Sequence, residues 1–187
     1  MIGIPPPTTS PDKIKGNASA ATREILSNPA ALFAGKPGSR TVPTYEDEMM
    51  RRAVVTEARI ANKREDERKK EAIVVVELEI TEPMTNGVGN IHGGCIACLV
   101  DVMTTLALVT YSLDVDSAFF VGVSQSMNVT YHSPATAGDK LRIVNYTVTG
   151  GSRAKTARCE IWNATHHRLV ASGLHIKMNP SPSKSKL

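Results

Sequence analysis

Asn90-Ile91-His92-Gly93-Gly94-Cys95-Ile96-Ala97-Cys98-Leu99-Val100-Asp101 opens the stretch whose reading decides the fold, and from Gly93 to Tyr111 nearly every residue is apolar or small. A run of that length exceeds an ordinary strand, so it predicts a helix buried nearly all round. Asp101 disagrees with these surroundings, because a carboxylate there is costly to desolvate unless it is hydrogen-bonded or faces a polar cavity. At the helix entrance, Gly93 and Gly94 leave the first backbone N–H groups bare, where a developing negative charge can approach closely. A donor nest followed by a carboxylate two turns on is a candidate catalytic pair.

Before this run, Ala72 to Ile80 predicts a strand with Val74, Val76, Leu78 and Ile80 on one face and Glu77 and Glu79 on the other. Glu82-Pro83-Met84-Thr85-Asn86-Gly87 breaks that strand and leads into the helix. Val54 to Ile60 predicts another strand, and the mixed-charge run Lys63 to Lys70 a solvated surface segment. Residues 1–43 hold seven of the eleven prolines and show no core-forming period, which predicts a mostly flexible arm. Thr44 is expected to cap a short helix ending near Ala53.

After the helix, Phe119 to Tyr131 alternates, with Val121, Val123, Met127, Val129 and Tyr131 on one face. That alternation puts Ser124 on the opposite face, away from the apolar side. Lys140 to Thr149, Lys155 to Trp162 and Leu169 to Met178 read as further strands separated by turns, the first of them at Gly150-Gly151-Ser152-Arg153. One long helix with meandering strands is an α+β pattern, the sheet wrapping the helix.

Length and composition narrow the function. At 187 residues the chain suits one domain with tails, and its 4% aromatic content implies a core of aliphatic side chains. The formal charge of +4 is mild and scattered, which gives no support to nucleic-acid binding. Three cysteines, Cys95, Cys98 and Cys159, make no disulfide framework, and no secretory or membrane-spanning run is read, so an intracellular protein is expected. Cys95-x-x-Cys98 lacks a second ligand pair and reads as small core packing, so neither metal nor organic cofactor is expected.

Several separated pieces share an order. Thr85-Asn86-Gly87 precedes His92-Gly93-Gly94, Asp101 follows nine positions after His92, and Gly122-Val123-Ser124 leads into Met127 to Ala135. Over roughly Val54 to Met178 this set resembles the hotdog-fold acyl-CoA thioesterases, the branch holding the phenylacetate-pathway and thioesterase superfamily member two types. The resemblance implies a hotdog fold for residues 44–178, with Lys63 to Lys70 as a hairpin tip, acting as a homodimer or a dimer of dimers. It implies Asp101 as general base or nucleophile, Ser124 orienting water, Asn86 and the Gly93 amide holding the thioester carbonyl, and His92 in support. It also implies coenzyme A contacts from Tyr131, His132 and Ser133 and from Gly151, Ser152 and Arg153, with Lys155 and Lys177 behind them. The family often has a Lys where this chain has Ser152. Two rival functions use the same fold, an acyl-CoA hydratase or dehydratase and a non-catalytic acyl-CoA-binding module. The hydratases usually carry an Asp followed five positions later by His, and none of Asp101, Asp114, Asp116 or Asp139 has one.

The chain ends Ser185-Lys186-Leu187, a peroxisomal import signal behind the flexible spacer 179–183, so an import receptor is an expected partner. Five Lys or Arg against two acids in residues 1–43 leave a mitochondrial destination as an alternative, and the cytosol is the other.

Overall fold

The computed structural model describes residues 6–34, 42 and 44–179. Its elements are three short helices α1 (Ala20–Leu26), α2 (Pro29–Phe33) and α3 (Asp47–Met50), the long helix α4 (Gly93–Asp114), and six strands. The strands are β1 (Val54–Asn62), β2 (Lys70–Glu79), β3 (Val123–Tyr131), β4 (Lys140–Gly150), β5 (Ala154–Asn163) and β6 (Arg168–Met178). All neighbours are antiparallel, in the order β1-β2-β4-β5-β6-β3. The sheet packs on α4 in the expected hotdog arrangement, and residues 63–69 form the tip of the β1–β2 hairpin.

α4 is apolar because it is the core. Leu99, Val100, Met103 and Leu106 are fully enclosed, and burying each contributes about 2 kcal/mol. Val74, Val76, Leu78 and Ile80 reach them from β2 and the residue after it, as the alternation predicts. Its 22 residues are long and apolar enough by composition to cross a bilayer, but most of them are buried inside the protein. The helix therefore spends its hydrophobicity on the sheet.

Much of the N-terminal segment departs from the flexible arm expected over residues 1–43. Ile14, Ala18, Leu26 and Ala30 are core residues. Lys15 bridges to Glu57 on the free edge of β1, its N–H donating to the Thr56 carbonyl at 3.0 Å while its carbonyl accepts from the Ala58 N–H at 2.8 Å. Gly16 makes this approach possible, since at φ +110° a Cβ would lie 2.2 Å from the Ala58 carbonyl oxygen. Asp114, at the end of α4, accepts from the Ser19 N–H, the Ser19 hydroxyl and the Thr22 hydroxyl at 2.6–2.8 Å. With so many prolines the segment folds by docking on β1 and α4, and a periodicity test cannot register that. The expected cap at Thr44 is reversed, because the Asp47 carboxylate accepts from the Thr44 N–H at 3.0 Å and the helix is only α3. The terminal Ser185-Lys186-Leu187 and its spacer from Pro180 lie outside the described residues.

Candidate active site

The entrance to α4 is held from both sides. The Ile91 N–H donates to the Ala135 carbonyl and the His92 N–H to the Met84 carbonyl, each at 2.8 Å, which fixes the loop between β2 and the helix. The His92 Nδ1 accepts from the Gly94 N–H at 2.9 Å, so this imidazole caps the helix. The Gly93 N–H has no acceptor among the described residues. Asn86 turns its side-chain oxygen inward to accept from the Val88 and Asn90 N–H groups at 3.1 and 3.2 Å. This Asx turn fixes which end of the amide faces out. The amide NH2 of Asn86 has no acceptor among the described residues and remains a free donor.

The second group lies two turns down the helix. Ser124 reaches Asp101, donating to its carboxylate at 3.2 Å, which strict alternation along β3 would forbid. A bulge between Ser124 and Ser126 resolves the conflict. Opposed residues share a face, and Tyr131, Val129 and Met127 pair with Ala171, Gly173 and His175. The extra residue, Gln125, then shifts the parity, so Ser124 joins the inner face opposite Lys177. Asp101 itself is not enclosed, with 45% of its side chain exposed towards a cavity. Thr104 and Thr105 do not satisfy its carboxylate; their hydroxyls bond backbone carbonyls, including that of Asp101.

Behind Ser124 is a residue that the sequence reading missed. His175 is fully buried, with Nε2 at 3.0 Å from the Ser124 hydroxyl and 3.5 Å from the Asp101 carboxylate, and Nδ1 at 2.7 Å from the Thr104 hydroxyl. Burial lowers its pKa below the ordinary histidine value and Lys177 pushes in the same direction, while Asp101 opposes them. The imidazole thus bridges the Thr104 hydroxyl, which itself donates to the Val100 carbonyl at 2.7 Å, and the Ser124 hydroxyl, which donates to Asp101. One signal in the sequence pointed here. His175 and Lys177 occupy the core parity of β6 while Leu174 faces outward and is 43% exposed, an inverted pattern for a strand.

Two expected coenzyme A contacts are corrected. Lys155 is buried, ion-paired to Asp116 and set over the rings of Tyr111 and Phe120, so its charge is already engaged within the cavity that Ser152 also lines. Lys177 is also buried, donating to the Thr105 hydroxyl at 3.0 Å with its ammonium 3.8 Å from Asp101. Burial lowers its pKa and Asp101 opposes the shift. Both point inward from paired positions of β5 and β6. Of the remaining residues, Tyr131, His132 and Ser133 line a cavity of about 320 Å³ with Gly93, where the Tyr131 hydroxyl donates to the Gly93 carbonyl at 3.1 Å. The exposed Gly151, Ser152 and Arg153 lie beyond the opposite end of α4, where Gly150 abuts Tyr111. Gly93 and Tyr111 are separated by about 27 Å along a helix, so one chain does not gather the two loops.

The same limit applies to the catalytic candidates. Gly93 and Asp101 are eight residues apart, about 12 Å along the axis, and they line different cavities. Neither cysteine of the Cys95-x-x-Cys98 pair is a thiolate at neutral pH, because burial pushes the thiols up to about 11 and about 12. Cys95 packs in the core against Met49, whereas Cys98 lines the cavity beside Asp101.

A wrapped helix with a glycine nest at its start and a carboxylate at its middle defines a hotdog protein of the thioesterase type. The thioesterase superfamily model matches residues 88–170. Acyl-coenzyme A thioesterase 13 of Mus musculus is 35% identical over 104 residues, which is 56% of this chain and 71% of that protein. The chain belongs to the thioesterase superfamily. Among solved structures, thioesterase superfamily member 2 from Mus musculus superposes with a TM-score of 0.64 at 26% identity, covering 87% of this chain and 99% of that one. The zebrafish protein of the same name gives 0.61 at 27% identity, covering 84% and 94%.

Proposed function

We propose that this protein hydrolyses acyl-CoA thioesters to a free acid and coenzyme A. The observation that carries this is the Asp101 carboxylate with the Ser124 hydroxyl at 3.2 Å on the wall of a largely apolar cavity. The named activity of the curated relatives supports it. Asp101 takes a proton from water held against Ser124 as the water oxygen bonds to the thioester carbon. The carbonyl oxygen gains negative charge and is held by the Gly93 N–H and the Asn86 amide. Collapse breaks the carbon–sulfur bond, and the proton on Asp101 passes to the departing thiolate.

Those donors and that base must come from two chains. Two copies of α4 running antiparallel about a two-fold axis bring the start of one beside the middle of the other, giving two composite sites per dimer. In support, Met127 and Tyr131 lie on the inner face of β3 yet are 40% and 55% exposed, an apolar face that a second copy would cover. That pairing also brings the Tyr131–Ser133 loop of one chain towards the 151–153 turn of the other, where Arg153 is the remaining candidate for a phosphate.

A panel of acyl-CoA thioesters assayed for free thiol tests the proposal, with release expected from at least one. Water added across an enoyl-CoA without thiol release would make the protein a hydratase, and tight binding without turnover a carrier. The terminal Ser185-Lys186-Leu187 supports peroxisomal import through a receptor that reads that tripeptide. Deleting the three residues from a fluorescently tagged chain should turn a punctate signal diffuse, and an unchanged punctate signal would assign targeting elsewhere.

A further inference from the structure

The cavity beside Asp101, about 560 Å³, has a wall that the matched family region does not include. Phe33, Tyr45 and Glu46 close one side of it, and all three precede residue 88, where the match to the superfamily begins. Opposite them, Ala97, Cys98 and Val102 share with Asp101 the face of α4 that looks into the cavity. A group that leaves the carbon held at Asp101 and Ser124 therefore runs along Cys98 towards Glu46.

Only one half of a thioester suits this space. The coenzyme A half carries phosphates, which an apolar wall ending in a carboxylate repels, so the acyl half enters here. The Glu46 carboxylate has no hydrogen bond or ion pair among the described residues, and it lies close enough to Cys98 to add to the burial that raises that thiol's pKa. Among the described residues the one cation lining the cavity is Lys177, already engaged by Thr105 and Asp101. An acyl chain ending in a methyl group meets Phe33 and Tyr45 without cost, whereas one ending in a carboxylate meets a second carboxylate with no free cation among the described residues.

We propose that Glu46 is a specificity-determining residue that rejects acyl groups carrying a terminal negative charge, so that this enzyme selects monocarboxylic over ω-carboxy acyl-CoAs. The inference rests on the thioesterase reading above. It differs from a simple preference for apolar chains because it depends on the sign of one charge: repulsion of a wrong substrate discriminates independently of attraction for the right one.

The test compares lauroyl-CoA with dodecanedioyl-CoA, which share the coenzyme A half and the chain length and differ at the tail. The ratio of their kcat/KM values, ω-carboxy over methyl-ended, should rise about tenfold in Glu46→Gln and further in Glu46→Lys, a scale set by one charge pair at intermediate dielectric. In the unsubstituted protein the same ratio should rise with salt as the Glu46 charge is screened, a measurement that needs no variant to fold. A ratio indifferent both to salt and to the Glu46 series, in protein that hydrolyses lauroyl-CoA, overturns the role of Glu46 and leaves the thioesterase reading standing. Absence of thiol release from every acyl-CoA would instead remove that reading and this inference with it.

Discussion

The two halves of the proposed site are built from different materials. The donor half, Asn86, His92 and Gly93, lies within one short stretch and works through backbone amides and an Asx turn at an open helix end. The carboxylate half, Asp101, Ser124, His175 and Thr104, draws on α4, β3 and β6 and works through side chains backed by a buried imidazole. A backbone donor survives most substitutions around it. A side-chain network fails when any member changes, and desolvation acts on its protons. The halves should therefore differ in how far a single substitution reduces activity, and in their response to pH.

Asp101→Asn removes the base without changing the shape, and kcat is expected to fall by about three orders of magnitude, within the range for a positioned general base. Thermal stability should change little, since the carboxylate is half exposed. A loss under tenfold in kcat would place the base elsewhere and leave the comparison without its second term.

Asn86→Ala deletes one of two carbonyl donors while the Gly93 amide stays, so a smaller loss is expected, about two orders of magnitude and mostly in kcat. The pair of variants also tests whether the halves come from different chains. Subunit exchange between Asn86→Ala and Asp101→Asn protein should restore roughly a quarter of full activity, because half the dimers are mixed and each mixed dimer has one intact site of two. Exchange confirmed by mass spectrometry without any recovery would put both halves in one chain.

The same contrast explains what the sequence made legible. Gly93 and Asp101 stand out within one apolar helix, and Asn86 and His92 are found only because the family resemblance covers the short spacings around that helix start. The β2 strand and α4 follow from their apolar patterns. Ser124 was placed on the wrong face because a bulge has no side-chain signature, and one extra residue reverses every residue before it. His175 is 74 positions from Asp101 in the chain and meets it only when β6 and β3 pair beside the helix. Lys155 and Lys177 looked like surface cations because composition cannot tell a strand lysine that faces inward from one that faces solvent. The N-terminal segment hid its core residues Ile14 and Leu26 among prolines, and tertiary docking rather than local propensity orders it.

The smallest expected effect separates the halves by pH. His175 is buried, and its pKa lies below the ordinary value near 6.5, first through desolvation and then through Lys177, with Asp101 pulling the other way. The unfolded chain regains an ordinary imidazole, so below about pH 6.5 it binds a proton that the folded chain resists. Stability from keeping His175 neutral is present in full above that value and is lost progressively as the pH falls from about 6.5 through the lower folded pKa. Asp139 titrates in a separate window: its folded pKa is lowered from 3.8, so its contribution is lost only in stronger acid. A melting curve taken at steps from pH 7.5 to 5 therefore reads the imidazole and leaves that carboxylate charged. The midpoint should drop across this range in the unsubstituted protein, and His175→Gln, although less stable at pH 7.5, should drop less. His92→Gln, changed at the exposed cap of the donor half, should retain the full drop. If His92→Gln flattens the profile and His175→Gln does not, the proton-sensitive group lies at the helix entrance, and the division into an open backbone half and a buried side-chain half is wrong.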